Sequence, residues 1–199
     1  MSENKIKYGL SRVAYALVTE TTQSGVTTSS YGTVKDLKGA VNLSLSSSGS
    51  KSVFRADNED YYVSYGQGGF EGSLEVARVN DGFMKDVFGM QTDDDGILVE
   101  SSASFNQVTY FALLFQFEGD QNETLHCLYK CSASRPDIAS QTTGEGGTIE
   151  PQTETLNLTV VPRADADKYI HVQTTDATST AATAAWYSAV PVPTFTPSP

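Results

Sequence analysis

Apolar and polar residues alternate with a period of two over much of the chain, as in strands that bury one face and wet the other. Val41, Leu43 and Leu45 interleave with Asn42 and Ser44, and Leu74 and Val76 interleave with Ser73 and Glu75. Leu156, Leu158 and Val160 repeat the pattern, and Tyr169 to Val172 reads as a short last strand. Two segments are apolar on both faces. Val13 to Val18 is a continuous run, ended by the Thr/Ser/Gly stretch from Thr19 to Gly32. From Val108 to Phe117, one face holds Phe111, Leu113, Phe115 and Phe117, and the other holds Tyr110, Ala112 and Leu114. A strand of that kind is buried on both sides. Gly119 to Asn122 then turns the chain into Leu125, Cys127, Tyr129 and Cys131, so these two strands read as a central antiparallel hairpin. Helical spacing stands out once. Asn80 or Asp81 can cap it, Phe83/Val87 and Met84/Phe88 pair at i,i+4, and Gly89 follows as a C-terminal stop. Many strands and one short helix predict an all-β sandwich or barrel over residues 1–175.

Two segments do not suit a self-contained domain. Residues 46–69 are too many for a hairpin turn, and long loops in compact domains are usually functional. This one carries Phe54, Arg55, Asp57, Asn58, Tyr61, Tyr62 and Tyr65, an aromatic content that a solvated loop has no use for. The Ala/Thr/Pro-rich tail, residues 176–199, has Asp176 as its single charge yet contains Trp186 and Tyr187. Disordered tails are charged and poor in aromatics. Both segments therefore read as arms that bury these residues against another subunit, with folding back on the chain itself as the alternative.

Composition narrows the function. The chain has 199 residues, enough for one domain with a real core, and only 19% are charged. Its net charge of −11 argues against a nucleic-acid-binding surface, which needs a basic stripe to displace counterions. No apolar run is long enough to span a membrane, and residues 1–8 lack the apolar core of a secretory signal, so use without export is expected. Cys127 and Cys131 sit four apart on a strand, which places them on one face roughly 13 Å apart, beyond disulfide reach.

Reactive constellations are sparse. The chain has no GxSxG, HExxH or GxxxxGK[ST] pattern. Gly66 to Glu71 begins like a dinucleotide fingerprint, but Glu71 stands at its third glycine and no βαβ unit surrounds it. His126 and His171 are too few for a histidine-based metal site. Asp93 to Gly96 resembles part of a calcium loop, but Gln91 and Ser102 occupy its end positions, so a solvated turn is expected. A glycosidase with two carboxylates is the remaining enzymatic reading, and neither catalytic residues nor a cofactor are expected.

Six blocks, in order, resemble the major tail proteins of long-tailed, non-contractile phages of Gram-positive bacteria. They are Asn4 to Leu10, Gly39 to Leu45, Phe54 to Asn58, Phe70 to Ala77, Phe111 to Phe117 and Glu150 to Leu156, covering about residues 4 to 162. Beyond Asp176 the resemblance stops. It implies a tube fold of the β-barrel or β-sandwich type with one flanking helix, similar to the tube proteins of contractile tails. It also implies hexameric rings stacked into a conduit for DNA ejection, with a long loop and terminal arms reaching the next ring. The partners would be other copies, the proteins at the two tube ends, and double-stranded DNA passing without specific binding. The location would be the virion tail, assembled in the host cytoplasm. A bore that passes DNA should repel phosphate, and residues interleaved with Leu74 and Val76, or with Leu156 and Leu158, are candidates to line it. The rival reading within a virion is a receptor-binding or decoration module.

Overall fold

The computed structural model describes residues 8–49, 51–66, 68–102, 108–119, 123–142 and 151–195, except the side chains of Lys51, Ser64 and Tyr65. The strands follow in the order β1 (Leu10–Gln23), β2 (Val26–Tyr31), β3 (Lys35–Asp36), β4 (Ala40–Ser47), β5 (Lys51–Ala56), β6 (Glu59–Tyr65) and β7 (Phe70–Val76). Helix α1 (Asp81–Phe88) comes next, followed by β8 (Gln91–Thr92), β9 (Leu98–Val99), β10 (Phe111–Phe117) and β11 (Leu125–Ala133). The chain closes with β12 (Glu154–Val160), β13 (His171–Gln173) and helix α2 (Thr180–Ala185). The protein is all-β with a short helix, as the periodicity predicts. The short α2, which buries no residue, is an addition in the C-terminal segment.

One antiparallel nine-stranded sheet dominates, in the order β2-β1-β10-β11-β12-β7-β4, with β3 on β1 and β13 on β11. It curls until its β4 edge returns beside the start of β1, where Tyr8, Gly9 and Leu10 share a cleft with Val41, Asn42 and Leu43. Such curling requires close backbone approach. A Cβ on Gly72 in β7 would lie 1.8 Å from the Ser44 carbonyl oxygen of β4, and one on Gly69 1.6 Å from that of Val160.

The concave side holds the main core. Leu74, Val76, Leu156, Leu158, Val160, Phe111, Leu113 and Phe115 pack there. Helix α1 seals it with Phe83, edge-on to Tyr15 at 4.9 Å and to Phe111 at 5.2 Å. Asn80 caps α1 through its Oδ1, which accepts from Phe83 N at 2.7 Å. Gly89 ends the helix in the left-handed region at φ 68°.

The other side of β1, β10 and β11 is buried too. Ala14, Ala16, Ala112, Leu114, Cys127 and Tyr129 form a second cluster, covered by Trp186 and Val190 of the chain's own C-terminal segment. That cover is why β10 is apolar on both faces.

Three expectations are corrected. The stretch from Thr19 to Gly32 does not end the first strand: β1 runs on to Gln23 and turns through Ser24 and Gly25, both at positive φ, into β2. Strand β10 begins at Phe111 rather than Val108. Cys127 and Cys131 do not share a face, because β10 and β11 slip register between the Phe111↔Cys131 and Leu113↔Leu128 pairs. This β-bulge, which inserts an extra residue on β11, sends Cys127 into the outer cluster and Cys131 into the main core.

Candidate assembly surfaces

Ser46 and Ser47 still belong to β4, and beyond them the segment forms an arm of paired strands, β5 and β6, rather than an irregular loop. β5 and β6 make a separate two-stranded sheet, with Val53 opposite Val63 and Phe54 opposite Tyr62. Asp57 (φ 52°) and Asn58 (φ 66°) both adopt left-handed backbone, as a two-residue type I′ hairpin turn demands. Arg55 braces the turn, its Nε 3.1 Å from Asp60 Oδ1 and its Nη2 donating to the Asn58 carbonyl at 3.3 Å. The base is clamped where Ser48 N donates to Gly69 O at 3.0 Å. The aromatic residues gain little cover from the described residues of their own subunit: Phe54 is 62% exposed, Tyr61 76% and Tyr62 63%. The side chain of Tyr65 lies outside the described residues. Of the candidates in this segment, Phe54, Tyr61 and Tyr62 are presented outward, whereas Arg55, Asp57 and Asn58 first of all shape the hairpin.

A second surface is polar. On β4, β7 and β12 the residues between the core positions form cross-strand rows. Asn42, Glu75 and Thr155 make one, Ser44, Ser73 and Asn157 the next, and Ser46, Glu71 and Thr159 the third. The rows hold two carboxylates and no Lys or Arg. These are the residues interleaved with Leu74, Val76, Leu156 and Leu158 that the sequence puts forward for a wet wall.

The C-terminal segment corrects the other pair of candidates. Trp186 is 5% exposed and packs in the outer cluster, so it serves its own subunit. Tyr187 lies beneath the Arg12 guanidinium, 4.1 Å from ring centre to charge. Burial pushes the Tyr187 hydroxyl up to about 12, with Arg12 pulling the other way. Tyr129 OH donates to Pro191 O at 2.7 Å and ties the segment down. Folding back, the alternative for this arm, is what occurs. The apolar face it needs comes from β1, β10 and β11, distant in sequence, so local reading had no signal for it.

The other reactive side chains lie in the core or contact one another. Burial raises both thiols, Cys127 and Cys131, away from the reactive thiolate. His126 Nδ1 and His171 Nε2 are 3.0 Å apart in a stack that Phe115 extends, and desolvation lowers the pKa of His171. Lys130 pairs with Glu20 at 2.6 Å, and Arg163 pairs with Asp165 among the rings of Tyr31, Tyr129 and Tyr169. In the Asp93 turn, Oδ1 accepts from Asp95 N at 3.1 Å and from Ile97 N at 2.7 Å, an Asx-type turn of the solvated kind expected there. Among the described residues no group of three or more His, Cys, Asp or Glu could hold a metal ion. No described helix is long and apolar enough to cross a membrane.

Comparison with protein-family models and with curated proteins finds no match. The described residues leave three features exposed: the aromatic hairpin, a wet face with two carboxylates, and the sheet edge at β2.

Proposed function

We propose that this protein is the structural subunit of a phage tail tube, self-assembling into stacked, hexameric rings that form the conduit for DNA ejection. The observation that carries the reading is the β5–β6 hairpin, which spends a rigid two-residue turn and a strand pair on presenting Phe54, Tyr61 and Tyr62 to solvent. Exposed aromatic clusters of this kind mark interaction sites. An arm of this length can leave its own subunit and dock on another, and the six blocks of tail-protein resemblance supply the kind of assembly. The face of β4, β7 and β12 suits the wall of a bore, because carboxylates without bases repel phosphate and give DNA nothing to bind. Location in the virion tail, contacts with the proteins at the tube ends, and passage of DNA without specific binding belong to the same proposal.

The test is self-association of the purified chain followed by light scattering. Wild-type protein should form large particles on concentration or on nucleation with tail tips, and Phe54→Ala and Tyr62→Ala should weaken this. A wild-type chain that stays monomeric under both conditions contradicts the reading.

A further inference from the structure

A cleft of about 520 Å³ opens between the start of β1 and the connection from β3 to β4, with Arg12, Lys38, Asp36, Ser11 and Tyr187 in its walls. Arg12 sits in a β-bulge, where the pairing of β1 with β10 slips between Ser11 and Ala14. Its φ of 49° is left-handed, a conformation that residues with a Cβ resist and that persists where surrounding structure enforces it. The effect of the bulge is to swing the Arg12 side chain out of the sheet and over the Tyr187 ring at 4.1 Å. Its only described side-chain hydrogen bond is a long one, 3.5 Å to Gln116 Oε1, and no carboxylate among the described residues forms an ion pair with it. Lys38 is highly exposed and 3.8 Å from Asp36, at the outer limit of an ion pair. In a chain of net charge −11, this cleft therefore places two cations against one carboxylate.

The complementary group is on the same chain but elsewhere. At the hairpin tip, Asp60 is engaged by Arg55, whereas Asp57 in the turn and Glu59 just after it are exposed and without an ion pair among the described residues. The tip lies about ten residues beyond the last rung of β4 with β7, Ser47↔Phe70, or roughly 30 Å along extended strands.

We propose that the acidic tip of the β5–β6 hairpin of one copy, carrying Asp57 and Glu59, docks into the Arg12–Lys38 cleft of another copy. The proposal rests on the tube reading and names the acceptor surface. A guanidinium held in place by an aromatic ring can meet a carboxylate in paired, charge-assisted hydrogen bonds. The contact is heterologous, since tip and cleft are different surfaces, and heterologous contacts propagate into rings or filaments.

The test uses charge exchange in the full-length chain. Asp57→Asn keeps a residue that tolerates left-handed backbone, so it is combined with Glu59→Lys as a tip variant. Arg12→Glu is the cleft variant. Each should raise the concentration needed for assembly about tenfold or more, while the combination of both recovers most of the loss. Circular dichroism melts of the monomers confirm that each variant folds; should Arg12→Glu fail to fold, Lys38→Glu replaces it with the same expectation. Wild-type assembly with variants that assemble at the wild-type concentration, or a combination no better than its parents, overturns the docking and leaves the tube reading standing. Absence of wild-type assembly removes both.

Discussion

Phe54 stands on the exposed hairpin and Trp186 is buried under the C-terminal segment, so truncating each to Ala should act on different quantities. Phe54→Ala is expected to leave the folding free energy within about 0.5 kcal/mol and to change only association. Trp186→Ala removes the centre of the outer cluster and should lower stability by about 3–5 kcal/mol in denaturant titration. Trp186 is the single tryptophan of the chain, so its emission reports this directly: blue-shifted and poorly quenched by acrylamide in the native state, red-shifted on unfolding. A second consequence concerns pH. Desolvation lowers the pKa of His171 from its ordinary 6.5, so the folded state binds that proton less readily than the unfolded chain. The contribution of this one group to stability is therefore full above about pH 6.5 and falls as pH drops below it. Melting temperatures of wild type and His171→Gln between about pH 7 and 5 should show a shallower fall for the variant. Residue-level reading was weakest where register decides. Nothing in the spacing of Cys127 and Cys131 signals the bulge between them, because a bulge is set by pairing with β10.

At the scale of elements, what was legible follows burial. β4, β7 and β12 have one buried and one wet face, and their alternation is plain in the sequence. Helix α1 announces itself by Asn80, its apolar pairs and Gly89, and Asn80→Ala should cost about 1 kcal/mol of stability by removing the cap to Phe83 N. The extension of β1 into β2 and the β5–β6 hairpin escaped for the same reason: both project from the sheet, so neither shows an apolar stripe to read. The Thr-rich pairs of the first, Thr22 with Thr27 among them, suit strands by their branching alone. For the second, the Asp57-Asn58 dipeptide between strand-forming residues was the available signal, since both residues tolerate the left-handed turn. Hydrogen exchange on the monomer should show slow exchange in β10 and β11, and faster exchange in β5 and β6, whose ladder is shielded by no other layer. Assembly should slow the exchange of β5 and β6 selectively.

For the whole molecule, one sheet divides the work. Its concave side, closed by α1, supplies the stability; its β1, β10 and β11 backs are covered by the C-terminal segment; and the β4, β7 and β12 face is left wet and acidic. The hairpin then extends from one end as the chain's least self-sufficient part. The all-β class and the exposed face of β4, β7 and β12 were readable from periodicity, whereas the path of residues 176–195 was not, because its partner face is assembled from distant strands. These are the features on which the proposed tube subunit would rely. The most direct test is an electron-microscopy reconstruction of the protein assembled at high concentration. The account predicts hollow tubes of stacked rings in which Glu71 and Glu75 face the bore, with carboxylates outnumbering Lys and Arg within ~8 Å, about one Debye length, of the inner surface. Solid or amorphous particles, or tubes whose bore is lined by an excess of Lys and Arg, would contradict it.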